Sequence, residues 1–277
     1  MSPSRSPSIT ANRTNLLLGL LALAIAANLV MMMLFTGTVN RKFMEAIELS
    51  KPQEGTLTTI TPEGCPQCRP LDAVLAAVKA QNVDLSKEQT VSAGSSEGSA
   101  LIGKYAVTHL PALVFESAQR IKVPVRRGFE QNGRAVGEAA FVWEQITPPY
   151  YDVASGNITG LVEAMYLTDE RCAECFNPIQ VLQPMLLRFG IQPVSTKILD
   201  VSDREGKELV EQYAITKIPT VILSKEASAY ASLLSTWQRL GTTEEDSSLV
   251  FRIMEAVRGT YKDLESGEIV EPPSPNR

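Results

Sequence analysis

At 277 residues the chain is long enough for about two domains of ordinary size. Its 31 acidic and 26 basic side chains leave a formal charge of −5, which excludes the basic domain or stripe of a nucleic-acid binder. Only four cysteines are present, all spent in two C-x-x-C pairs, so a scattered structural disulfide framework is excluded as well.

Residues 1–14 are rich in Ser, Pro and Arg and are expected to form a disordered tail. Within 15–36, the run Leu16 to Phe35 is apolar apart from Gly19 and Asn28. About 20 such residues cover a hydrocarbon core of about 30 Å, so a retained single-pass transmembrane helix is expected. A cleaved signal peptide carries a shorter apolar region of about 7–15 residues. Arg5 and Arg13 flank one side and Arg41, Lys42 and Lys51 the other, so charge alone does not fix the orientation. Residues 37–56 read as a tether. Val39, Phe43 and Ile47 in it have helical spacing, and Lys51-Pro52 ends that pattern.

A first domain is expected over 57–158. It opens with the strand-like Leu57-Thr58-Thr59-Ile60, then Cys65-Pro66-Gln67-Cys68, then a helix with Leu71, Val74, Leu75 and Val78 on one face. Ser92 to Ser99 reads as a loop, and an amphipathic helix ends at Tyr105. Ala112 to Phe115 reads as a buried strand, Ile121 to Arg127 as another strand, and Ala139 to Ile146 as a closing helix stopped by Pro148-Pro149. Asp152-x-x-Ser155-Gly156 is turn chemistry.

A second domain is expected over 159–270. It has a strand at Val162 to Leu167, Cys172-Ala173-Glu174-Cys175, and a helix carrying Val181, Leu182 and Met185 with Pro184 inside it. Strands follow at Val194 to Val201 and Val221 to Leu223. Val250, Ile253, Met254 and Val257 suggest a closing helix, and Asp263-x-x-Ser266-Gly267 repeats the turn. Residues 271–277 read as a loose tail.

The two halves are copies. Glu-Gly-x-x-Leu-(Ile/Val)-x-x-Tyr occurs at Glu97 to Tyr105 and at Glu205 to Tyr213. From Cys65 to Pro111 is 46 residues, and from Cys172 to Pro219 is 47. A strand, a C-x-x-C, helices, and then hydrophobic-Pro before a buried strand together resemble the thioredoxin superfamily. The resemblance covers each repeat nearly whole and implies an α/β fold: two tandem thioredoxin-like domains, each a central mixed sheet flanked by helices, after the membrane helix.

It further implies a thiol–disulfide oxidoreductase acting on protein thiols and disulfides, with no metal or other cofactor. Cys65 and Cys172 would attack, and Cys68 and Cys175 would resolve. Leu110-Pro111 and Ile218-Pro219 would line the substrate site, with cis prolines against the dithiols and free backbone groups for a client strand. A sulfur at a helix N-terminus would have its thiolate favoured. The acid carried by thioredoxin six residues before its first cysteine is replaced here by Thr59 and Tyr166, and Gly64 and Arg171 precede the cysteines. Extra carboxylates at Asp169, Glu170 and Glu174 predict that the second pair is the more reducing. The domains are expected on the extracytoplasmic side.

Two other readings stay open. Four thiolates can hold zinc, and the same fold can serve as a redox-silent adaptor. His109 is either a rim residue or a tuner of the nearby thiolate. Arg120, Lys122, Arg126, Arg127 and Arg134 form either a solvated face or a docking strip.

Overall fold

The computed structural model describes residues 9–257 and 259–272. Of the expected tails, residues 1–8 and 273–277 lie outside the described residues. The chain opens with one long helix, α1 (Ile9–Ser50), whose portion from Asn15 is long and apolar enough to cross a membrane. The helix continues through 37–50 and ends just before Pro52, which cannot extend it. Its C-terminal end is held to the first α/β unit. Lys122 Nζ lies 2.8 Å from Glu48 O and 3.0 Å from Lys51 O, and Asn82 Nδ2 donates to Ser50 O at 2.9 Å. A cation is favoured there by the unpaired terminal carbonyls.

The first unit runs β1 (Gln53–Thr61), α2 (Asp72–Lys79), β2 (Val83–Ser92), α3 (Ser96–Tyr105), β3 (His109–Leu110), β4 (Ala112–Glu116), α4 (Val123–Phe129), β5 (Arg134–Val136), β6 (Ala140–Glu144), β7 (Tyr150–Asp152) and β8 (Asn157–Thr159). The second runs β9 (Glu163–Thr168), α5 (Pro178–Arg188), β10 (Ser195–Asp200), α6 (Arg204–Gln212), β11 (Lys217–Ile218), β12 (Thr220–Leu223), α7 (Ala231–Trp237), β13 (Gly241–Thr243), β14 (Leu249–Phe251), β15 (Tyr261–Asp263) and β16 (Ile269–Val270).

The repeat reappears as wiring. Strand order is β2-β1-β4-β6-β5 in one five-stranded sheet and β10-β9-β12-β14-β13 in the other. A three-stranded sheet accompanies each, β3-β7-β8 and β11-β15-β16. The first pair in each large sheet is parallel and the rest antiparallel, so both are mixed. The middle strands β4 and β12 are covered on both faces, which is why they read as unbroken apolar runs. In the first unit Phe115, Phe129, Phe141 and Trp143 pack edge-on with centroids 5.0–5.3 Å apart around Phe129, a favoured aromatic geometry.

Four expectations fail. Ile121 to Arg127 is not a strand: Pro124 sits in the first turn of α4, and Val125 and Phe129, one turn apart, face the core. Ala139 to Ile146 is not a closing helix, because residues 140–143 are all buried as the strand β6 between β4 and β5. The second closing helix is likewise the strand β14 followed by a single 3-10 turn at Met254–Ala256. The loop expected over Ser92 to Ser99 shrinks to residues 93–95. The Ser95 hydroxyl accepts from the Gly98 N–H at 3.0 Å and so starts α3.

Candidate functional site

Both C-x-x-C segments lie in the loop leaving the strand beside the central one, β1 or β9, and each pair is joined. Cys65–Cys68 has its Cα atoms 5.3 Å apart and Cys172–Cys175 5.4 Å apart. Neither pair opens a helix, contrary to expectation. Each closes a turn in which the second cysteine's N–H donates to the first one's carbonyl at 3.2 Å. α2 starts only at Asp72, because Pro70 lacks an N–H and disfavours helical geometry at Arg69. In the second unit Asn177 Oδ1 takes the N–H groups of Ile179 and Gln180 at 3.0 and 3.2 Å, with Pro178 opening the helix. Those α5 donors serve the Asn177 cap rather than a sulfur.

The two sites differ in depth. Cys65 and Cys68 are part-exposed and line a cleft of about 300 Å³ shared with Thr59, Pro70, Leu71 and Pro111. Thr59 is the residue six before the first cysteine. Its counterpart Tyr166 is fully buried in the second core, where its hydroxyl has no hydrogen-bond partner among the described residues and burial pushes its pKa up. Cys172 is only 7% exposed.

Charge also separates them. The Asp169 side chain is completely buried, three residues before Cys172, and its carbonyl accepts the Cys172 N–H at 2.9 Å. Arg171 Nε reaches Asp169 Oδ1 at 2.9 Å and Lys262 Nζ reaches Oδ2 at 2.7 Å. These bonds, the one from Arg171 foremost, hold the carboxyl well below the usual range. Burial works against the charge of nearby Asp200, but hydrogen bonds from Ser202 and the Glu170 N–H outweigh it. The equivalents of Asp169 and Arg171 in the first unit are Pro62 and Gly64. There Glu63 Oε1 instead accepts from the Ser92 hydroxyl at 2.5 Å.

The peptide bonds Leu110–Pro111 and Ile218–Pro219 are cis, as is Pro148–Pro149. The backbone before the two repeat prolines is not free, however, which corrects the expected open edge. Leu110 is fully buried and pairs with Tyr151 of β7, and Ile218 is fully buried and pairs with Lys262 of β15. Two residues earlier the Val153 N–H donates to Thr108 O and the Leu264 N–H to Thr216 O. Alternation along an antiparallel ladder then turns the Leu110 and Ile218 backbone groups toward those strands. Each unit thus closes this edge with its own hairpin, and the repeated Asp-x-x-Ser-Gly forms the tip. Gly156 and Gly267 take φ of 69° and 75°, and Asp152 and Asp263 accept the following N–H groups.

His109 sits on β3 against the Tyr150 ring at 4.4 Å, with its ring nitrogens 3.9 Å from Glu144 and 3.7 Å from Asp152. Four of the five residues of the basic strip, all but Arg127, enter local partnerships among the described residues. Lys122 caps α1, Arg126 pairs with Glu130, Arg134 with Glu144 and Arg120 with Glu138. Arg69 stood out in the sequence only as a charge beside the first dithiol, with no bonding role expected. Its N–H donates to Pro149 O at 2.9 Å, and its guanidinium donates to Gly190 O in the second unit at 2.8 Å. Only its place directly after Cys68 marked it. No family model matches the chain, and no curated protein is significantly similar to it.

Proposed function

We propose that the chain is a membrane-anchored thiol–disulfide oxidoreductase with two thioredoxin-like units, exchanging disulfides with protein thiols on the extracytoplasmic side. The observation that carries this is the joined Cys65–Cys68 pair on a cleft shared with Pro111. A client thiolate attacks Cys65 Sγ, the bond to Cys68 breaks, and Cys68 leaves as the thiolate. A second client thiolate then attacks the client sulfur of the mixed disulfide. The client disulfide forms and Cys65 is released as a thiolate, so two electrons pass from client to protein. Run backwards, the reduced pair opens a client disulfide, with Cys65 attacking and Cys68 resolving. Cys172 and Cys175 carry the same roles in the second unit, and the Pro111 and Pro219 loops position the client.

Refolding of a reduced, disulfide-containing protein and reduction of insulin test the proposal on the full chain. Cys65→Ala is expected to abolish activity at the first site and Cys172→Ala at the second. Equal activity for both variants and wild type would overturn it. Protease protection in sealed vesicles tests the side of the membrane. A second reading, redox-silent binding, is favoured for the second unit by the burial of Cys172. Loss of all activity on Cys65→Ala alone, with Cys172→Ala unchanged, would assign it.

A further inference from the structure

Asn28 stands near the middle of the uncharged stretch between Arg13 and Arg41, the depth at which a membrane offers no water to an amide. Its Nδ2 donates to Ala24 O at 3.1 Å, which leaves its second N–H and its Oδ1 without a partner among the described residues. Leu21, Ile25, Asn28, Met32, Phe35 and Val39 follow one another in steps of four and three, the spacing of a helix seam with one polar position at its centre. At 3.6 residues per turn, Phe43 flanks the same face beyond Arg41 and Lys42. Val39 and Phe43 are 60% and 62% exposed. One face therefore presents an unsatisfied amide at the bilayer centre and bare apolar side chains near its exit.

We propose that this face pairs with the same face of a second copy, making α1 a parallel two-helix seam with Asn28 bonded to its counterpart. A carboxamide is self-complementary, offering both a donor and an acceptor. A second chain inserted the same way places its own Asn28 at the same depth, so one contact satisfies both. The same packing covers Val39 and Phe43 and brings two pairs of dithiol units onto one side of the membrane. The inference rests on the anchor reading and is independent of the redox chemistry.

The experiment is energy transfer between full-length chains carrying donor or acceptor fluorescent tags after Arg277, reconstituted in phosphatidylcholine vesicles over a range of protein-to-lipid ratios. Wild type is expected to transfer energy at low density. Asn28→Leu is expected to weaken association by roughly tenfold, while Asn28→Gln retains it and Met33→Leu, on the opposite face, leaves it unchanged. Transfer by Asn28→Leu equal to wild type, or no transfer by wild type in chains that stay with the vesicles, overturns the pairing. Chains washed off by alkaline carbonate overturn the anchor itself, and the pairing with it.

Discussion

Lys262 and Asp169 lie 93 positions apart and meet at 2.7 Å, joining the hairpin that closes the Ile218 edge to the loop that carries Cys172. The Asp169 side chain is fully buried, so its charge depends on its two cations and on the Arg171 N–H, which donates to Oδ1 at 3.0 Å. Arg171, 70% exposed, is the more screened of the two. Lys262→Met should therefore cost about 1–3 kcal/mol, read by denaturant unfolding of the detergent-solubilised chain. A change below about 0.5 kcal/mol would show the bridge to be incidental.

The same carboxyl sets an acid limb. Its folded pKa is depressed, so its contribution is fully present above the unfolded value of about 3.9 and is lost as pH falls through the lower folded value. Wild type should lose stability below about pH 4 more steeply than Asp169→Asn, which has no such proton to take up. Thermal midpoints measured between pH 2 and 7 decide it, and parallel curves would contradict the assignment.

The repeated Glu-Gly of the sequence has a packing reason. A Cβ built on Gly98 would stand 2.0 Å from Ser92 O, and one on Gly206 would stand 2.0 Å from Asp200 O. In both units the first turn of a helix presses against the carbonyl that ends the preceding strand, and backbone cannot yield as a side chain can. Gly98→Ala and Gly206→Ala should each destabilise by about 1–3 kcal/mol. Two near-neutral variants would mean that the helices can slide.

How much of this was legible depends on range. The repeat, the buried runs of β4 and β12, the later turns of α3, and the alignment of cysteines with prolines follow from short patterns. Residues 140–143 did not, because four consecutive apolar residues fit a buried strand or a helix equally well. In α4 the β-branched Val123 and Val125 imitated an alternating strand, and burial of Phe129 overrode that propensity. The hairpin over Leu110 comes from residues some forty positions later, and the Lys262 bridge from still further. No local pattern announces such pairings; only the Asp-x-x-Ser-Gly repeat hinted that something equivalent ended each half.

The repeat also retains a local cost. Ala106 and Ala214, in the matched Tyr-Ala segments, both have φ of 47°. Each closes its helix with two reversed hydrogen bonds: Ala106 N–H to Gly103 O and Val107 N–H to Ile102 O, matched by Ala214 to Glu211 and Ile215 to Val210. This is the left-handed helix end that glycine normally fills. Ala106→Gly and Ala214→Gly should each raise stability by about 0.5–1 kcal/mol, the relief at positive φ exceeding the entropy glycine adds to the unfolded chain. A fall in the thermal midpoint for either would contradict this.

Depth predicts the order in which the two disulfides react. An attacking thiolate must reach a sulfur along the S–S axis, so access limits the rate as much as driving force does. Cys65 and Cys68 line an open cleft, whereas Cys172 is shielded and its loop is tied to β15 through Asp169 and Lys262. Of the two buried carboxylates beside the second pair, Asp169 is paired with the cations Arg171 and Lys262 and Asp200 is held by Ser202 and the Glu170 N–H, so the local charge is closer to balance than the sequence implied. Under limiting dithiothreitol, timed alkylation and mass spectrometry should find Cys65–Cys68 opened first, by roughly tenfold or more for a difference of about 1.4 kcal/mol in barrier. Lys262→Met should narrow that gap by loosening the second loop. Equal rates, or a second pair that opens first, would show that burial of Cys172 does not govern its chemistry.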